Sequence, residues 1–172
     1  MKKTEIALNE LHLDGIELTN RCMLVTAGSY ETGRFNSMTI SWGFVGNLWS
    51  HPMVLIAIRK SRYTNEFLAA GKDFTLTVLP QRLKKVYGLI GSQSGRDSDK
   101  MRESGLTPIQ SEAVLSPSFA EASLTLECET VYADEIRKEN ILVPEILREN
   151  YQEDDFHKLY IGRIVRAWKQ EE

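Results

Sequence analysis

The chain is poor in cysteine: Cys22 and Cys128 are the only two in 172 residues. They form no C-x-x-C pair and no zinc spacing, so they read as two unpaired thiols of a cytoplasmic protein. Histidine is equally scarce. His12, His51 and His157 are too scattered for metal-ligand spacing. No G-x-S-x-G elbow is present. The glycine- and serine-rich run GSQSGRDSDK (91–100) fits neither the phosphate-loop nor the dinucleotide fingerprint spacing, and it has no strand ahead of it. It reads as a flexible loop. The side chains therefore offer no obvious nucleophile and no metal, and an enzyme built on this chain needs an organic cofactor.

Long apolar runs are also missing. The longest, Met53–Ile58, is far too short to span a bilayer. The start, MKKTEIALNE, has two lysines but no apolar stretch behind them, unlike a secretory signal. Net charge is −3, so no basic excess exists to neutralise nucleic-acid phosphates or to hold a membrane surface. No internal repeat and no low-complexity linker interrupts the sequence, which predicts a single domain over residues 1–172. A hydrophobic fraction of 42% suffices for a packed core.

What is present is mostly strand. Cys22–Ala27, Met38–Val45, Met53–Ile58, Phe74–Leu79, Leu124–Tyr132 and Leu159–Trp168 carry β-branched or alternating patterns. Met53–Ile58 (MVLIAI) is continuously apolar, as in a strand buried on both faces. In LTLECETVY, Glu127 and Glu129 alternate with Leu126 and Cys128, so Cys128 is predicted to point into the core. Short helices are predicted at Tyr63–Ala70 (with Ser61 and Thr64 as caps), Gln81–Ile90, Ser98–Ser104 and Pro144–Asn150. The first strands lie too close together for crossover helices. The predicted fold is mainly β: an antiparallel barrel with short peripheral helices.

Two segments stand out chemically. In NSMTISW, Met38, Ile40 and Trp42 alternate with short hydrogen-bonding groups. Asn36, Ser37, Thr39 and Ser41 are expected to crowd the other face, with glycines following at 43 and 46. That face looks either at water or at a ligand. In RKSRYTN, Arg59 and Arg62 flank Ser61 and Thr64 at a helix start. Forked guanidiniums, hydroxyls and backbone donors suit a phosphate. A solvated turn with an ordinary cap fits the same letters. Asp154 and Asp155 read as solvated surface. A lone His157 near them reads as structural or exposed more readily than catalytic.

Together these motifs resemble the flavin reductase-like family of FMN-binding split barrels, in its flavoredoxin and NAD(P)H:flavin oxidoreductase branch. The likeness rests on NSMTISW (36–42), HPMVLIAI (51–58), RKSRYTN (59–65), FTLTVLP (74–80), SGRDSDK (94–100) and LYIGRIV (159–165), in family order from about residue 20 to 168. It implies a split β-barrel that holds FMN non-covalently and forms a homodimer with the flavin near the interface. Carried over, Asn36, Met38, Thr39, Ser41 and Trp42, with Ser37 and Ile40 of the same run, would line the ribityl chain and ring. Arg59, Ser61, Arg62 and Thr64 would hold the phosphate, with Arg96 and Lys100 nearby. The implied reaction passes hydride from NADH or NADPH to FMN and electrons onward to a flavin, a protein or a small acceptor. The alternative is an FMN electron carrier without its own nicotinamide site; haem-binding and pyridoxamine-phosphate-oxidising relatives share the barrel. Many relatives have Asp directly before His ahead of the late strand, whereas Phe156 separates Asp155 from His157 here. Ile141–Asn150 matches no family motif and reads as a lid or a dimer contact.

Overall fold

The computed structural model describes residues 3–11 and 22–170. His12 lies outside the described residues. Ten strands are present among them: β1 Lys3–Glu5, β2 Met23–Ser29, β3 Arg34–Ile40, β4 Gly43–Leu48, β5 His51–Arg59, β6 Asp73–Val78, β7 Pro108–Ile109, β8 Ser118–Phe119, β9 Leu124–Glu135 and β10 His157–Gln170. Four short helices accompany them: α1 Thr64–Ala70, α2 Lys84–Ser92, α3 Lys100–Ser104 and α4 Pro144–Asn150. The predicted mainly β, antiparallel architecture is what is found.

The main sheet runs β3-β2-β6-β9-β10-β5-β4, with β1 beside the end of β10. Every pairing is antiparallel. The long β9–β10 pair forms its spine. Register shifts at Ile161/Gly162 and Ile164/Arg166 bend that spine and increase its twist. Gly162 sits at the first bend because the Phe74 ring takes the space: a Cβ there would lie 2.5 Å from Phe74 Cζ.

The sheet curls so that its distant strands share one core. Val25, Ala27, Ile40, Val54, Ile56, Ile58, Phe74, Leu76, Leu126, Cys128, Tyr160 and Ile164 pack together inside. Burying each large side chain contributes roughly 1.5–3 kcal/mol. Cys128 is inside, as its alternation predicts. A second cluster covers the outside of β2, where Leu24, Leu79, Ile90, Leu106 and Phe119 meet the apolar face of α2.

Two strand expectations are corrected. Met38–Val45 is not one strand. It breaks at Ser41–Trp42, and the halves go to opposite ends of the sheet, β3 beside β2 and β4 beside β5. No strand pairing closes that gap among the described residues, which is where the barrel is split. The second correction concerns MVLIAI, which is not buried on both faces. Val54, Ile56 and Ile58 enter the core, while Leu55 and Ala57 are half-buried on the outside. The cause is position: β5 is one strand from an open edge. Its outer face continues an apolar row, Phe44–Leu55–Ile161–Tyr132, of residues directly opposed across four strands. Phe44 in that row is 74% exposed.

Candidate functional site

The alternation of β3 sets what it can offer. Asn36, Met38 and Ile40 pair with Ala27, Val25 and Met23 and face inward. Ser37 and Thr39 pair with Thr26 and Leu24 and face α2. The expectation that Asn36 shares a face with Ser37, Thr39 and Ser41 is therefore corrected: even and odd positions point apart. Ser37 is fully buried against the Thr26 hydroxyl. Thr39 Oγ1 donates to the Tyr87 carbonyl at 2.7 Å. Ile40 belongs to the core. Ser41 and Trp42 are exposed at the break between β3 and β4.

Asn36 reaches the first residue of α1. Its Nδ2 donates to Thr64 Oγ1 at 2.6 Å, and both side chains are buried. Thr64 thus serves Asn36 and does not cap the helix; nor does Ser61, and α1 has no side-chain cap bond at its start. The 93–100 segment crosses over this pair. Gly95 lies directly on the Asn36 side chain, where any Cβ would collide with Oδ1. Arg96 holds the crossing in place: Nη1 donates to the Ser61 carbonyl at 3.1 Å, Nη2 meets Glu66, and the guanidinium sits 4.9 Å from the Tyr63 ring centroid. The run that reads as a flexible loop is thus tied down.

Lys100 is buried at the C-terminal end of α2. Its Nζ donates to the carbonyls of Ile90 and Gln93, each at 3.1 Å. Burial, aided by the Arg62 charge, lowers its pKa to about 8. An ammonium has three donors, so one remains. A cleft of about 500 Å³ opens here, lined by Arg34, Asn36, Tyr63, Arg96 and Lys100 among others.

Arg59 and Ser61 do not line this cleft. The β5–β10 register places Arg59 opposite His157, at the turn that leads into β10. Arg59 donates from Nη1 to the Asp155 carbonyl and from Nη2 to the Asn150 carbonyl, both at 2.9 Å. Ser61 donates to Asp155 through its amide (3.2 Å) and its hydroxyl (2.6 Å). Both residues brace the 150–155 turn. Asp155 is a partner in this bracing and not merely solvated surface. Arg62 differs: its guanidinium is exposed and has no hydrogen-bond or ion-pair partner among the described residues.

At the start of β10, His157 is buried, with Nδ1 3.0 Å from the Tyr151 hydroxyl. The Trp42 indole stacks on it, ring centroids 4.7 Å apart at 30°. Burial, reinforced by Arg59 and Arg62 and opposed by Asp155, lowers the His157 pKa to about 4. The ring is neutral at pH 7. Burial also raises the Tyr151 phenol, so a neutral phenol faces a neutral imidazole. Arg62 is near enough to disfavour the charged forms of both Lys100 and His157. Neither Arg62 nor Thr64 lines the cleft itself, which is bounded on that side by Tyr63, Arg96 and Lys100.

Sequence reasoning gave no role to Tyr63, although it lies inside RKSRYTN, and missed Tyr151, which carries no motif, and the Tyr160–Asn65 bond (2.7 Å) beneath α1. It also missed the burial of Glu127, whose carboxylate accepts from the amides of Glu112 (3.3 Å) and Ala113 (2.7 Å) and from Trp168 Nε1 (2.8 Å). Among the described residues, no group of three His, Cys, Asp or Glu could hold a metal ion. No helix of the described residues is long and apolar enough to cross a membrane.

Comparison with known proteins adds relatives to this geometry. An uncharacterized protein of Archaeoglobus fulgidus is 33% identical over 112 residues, covering 65% of this chain and 63% of that protein. One of Aeropyrum pernix is 27% identical over 168 residues, covering 88% and 63%. The chain thus spans under two thirds of the length of either. Among solved structures, the fold is similar to flavoredoxin of Methanosarcina acetivorans (TM-score 0.68, 24% identity, 88% of this chain and 69% of that one). It is similar as well to the NADH:FAD oxidoreductase of Streptomyces globisporus (TM-score 0.64, 21% identity, 87% and 74%). Residues 17–172 match the family model described as "Flavin reductase like domain". The chain belongs to the flavin reductase-like family.

Proposed function

We propose that this protein binds FMN non-covalently and uses it as an NAD(P)H-dependent oxidoreductase. The observation that carries the reading is the cleft lined by Asn36, Arg96 and Lys100, with the exposed Arg62 guanidinium, which has no hydrogen-bond or ion-pair partner among the described residues, close enough for its charge to act on both Lys100 and His157. Cations at one end and an open aromatic face at the other fit a phosphorylated, flat-ringed ligand. Arg62, Thr64 and the third donor of Lys100 would hold the phosphate, with Arg96 at the rim. Asn36 and the exposed Ser41 would meet the ribityl chain, with the backbone of Met38 and Thr39 beside it, and Trp42 would border the ring. Arg59 and Ser61 serve the site indirectly, through the turn that they brace. When bound, FMN supplies the hydride-accepting centre, and the chain's part is to bind it, orient it and keep water away.

The reading includes a homodimer. Ser41–Ser50 contains no charged residue, although an exposed edge strand is ordinarily protected by charge. The adjoining outer face carries the Phe44–Leu55–Ile161–Tyr132 row. A second copy would cover both. The tip of the β4–β5 hairpin holds Trp49 and Ser50 at φ +53° and +61°, a conformation that normally calls for Gly or Asn.

One anaerobic visible spectrum, taken with and without NADH or NADPH, tests the activity. A yellow protein bleached by either nucleotide is expected. A yellow protein that neither nucleotide reduces above the buffer rate, but that a reductase partner does reduce, makes it an electron carrier instead. A colourless protein that takes up no added FMN overturns the reading.

A further inference from the structure

The exposed indole of Trp42 is fixed from behind by a chain of contacts that begins at Arg59. Trp42 lies in the two-residue connection between β3 and β4, outside both strands. Its indole makes no hydrogen bond among the described residues. What orients it is the His157 ring stacked on it.

His157 cannot turn freely, because it is buried and its Nδ1 is bonded to the Tyr151 hydroxyl. Tyr151 is held in turn. Phe156 stacks on its ring at 4.6 Å and 17°, and the Arg59 guanidinium lies 5.7 Å from its centroid. Arg59 anchors the whole turn through its two carbonyl contacts at Asn150 and Asp155. Each member of the series Arg59, Tyr151, His157, Trp42 is fixed by the one before it.

We propose that Tyr151 and Arg59 are positioning residues for Trp42: they lock His157 behind the indole and so set the aromatic face that borders the cofactor site. The cofactor half of this statement rests on the flavin reading above; the locking does not. At His157, Nδ1 is occupied by Tyr151 and one ring face by Trp42. Around it stand Arg59, Arg62 and Asp155, and the Tyr151 phenol.

The test uses full-length protein labelled with 5-fluorotryptophan and free of FMN. Fluorine NMR gives one resonance each for Trp42, Trp49 and Trp168, and Trp42→Phe assigns the first. Tyr151→Phe removes only the hydroxyl and keeps the ring under Arg59. It is expected to shift and broaden the Trp42 resonance and leave that of Trp168, which is bonded to Glu127, in place. Arg59→Lys keeps the charge but loses the fork, and should move the Trp42 resonance in the same direction. In a parallel titration, FMN affinity should fall roughly threefold to tenfold in Tyr151→Phe, the worth of one hydrogen bond. An unmoved Trp42 resonance in either variant overturns the proposal, as does equal movement of Trp42 and Trp168 in both. Because the resonances are read without FMN, they decide the positioning role whatever the wild-type titration shows.

Discussion

Asn36 and Thr64 share a 2.6 Å hydrogen bond between buried side chains. It ties the inward face of β3 to the first residue of α1, and the 93–100 crossing rests upon it. Thr64→Val keeps the shape and removes the acceptor, leaving the Asn36 amide unpaired in the interior. The expected loss of stability is about 1–3 kcal/mol, read as a lower urea midpoint. An unchanged midpoint would show that the amide finds water or another partner.

Acid should weaken the fold through His157. Its folded pKa of about 4 lies below the unfolded value, so the unfolded chain binds the proton more readily. The neutral, buried ring is therefore fully accommodated above about pH 6.5, and stability falls as the pH drops from there toward 4. Unfolding free energies from urea titrations of wild type and His157→Gln, compared across that window, should diverge by on the order of 2–3 kcal/mol, with wild type the steeper. Parallel curves would mean that the ring is hydrated in the folded state.

Phe44→Glu should yield a monomer. The substitution places two like charges at the centre of the proposed contact and removes roughly 1.5–3 kcal/mol of apolar burial from each copy. Light scattering at micromolar concentration reads the mass directly. A wild-type monomer, or a dimer that tolerates the charge, would refute the outer row as the contact.

Glu127, on the face of β9 opposite Leu126 and Cys128, holds the 110–117 loop by accepting from two of its amides, and it accepts a third N–H from the Trp168 indole. Glu127→Leu should leave those donors unpaired and cost about 2–4 kcal/mol. Amide exchange at Glu112 and Ala113 should accelerate more than exchange in β9. Unchanged protection there would show that the 110–117 loop is held by the Asp73 contacts with Leu115 and Ser116 alone.

Much of this architecture is legible in the letters, and the reasons for success and failure are physical. FTLTVL and LTLECETVY alternate because one face meets the core, so β6, β9 and the inward Cys128 follow from period alone. Local rules fail where distant strands decide the outcome. Nothing in MTISWGFV says that its two halves pair at opposite ends of a sheet. Nothing in RKSRYTN says that Arg59 and Ser61 are committed to Asp155, because that follows from the β5–β10 register. The same register puts His157 behind Trp42. Within RKSRYTN, residue type marks Arg59, Ser61, Arg62 and Thr64 alike; only the fold separates the exposed Arg62 and the interior Thr64 from the pair that braces the 150–155 turn. Tyr151 left no signal because an aromatic in an acidic stretch looks like surface.

The break at Ser41–Trp42 has a mechanical consequence. The two free edges of the sheet are consecutive in the chain, so any widening or closing of the slit between them must be absorbed by this two-residue joint. Trp42 sits in that joint, held by its stack on His157 and by the backbone bond from the Ala57 amide to its carbonyl. Read as the difference between wild type and Trp42→Phe, since Trp49 and Trp168 also emit, its fluorescence is thus a built-in gauge of the slit's width.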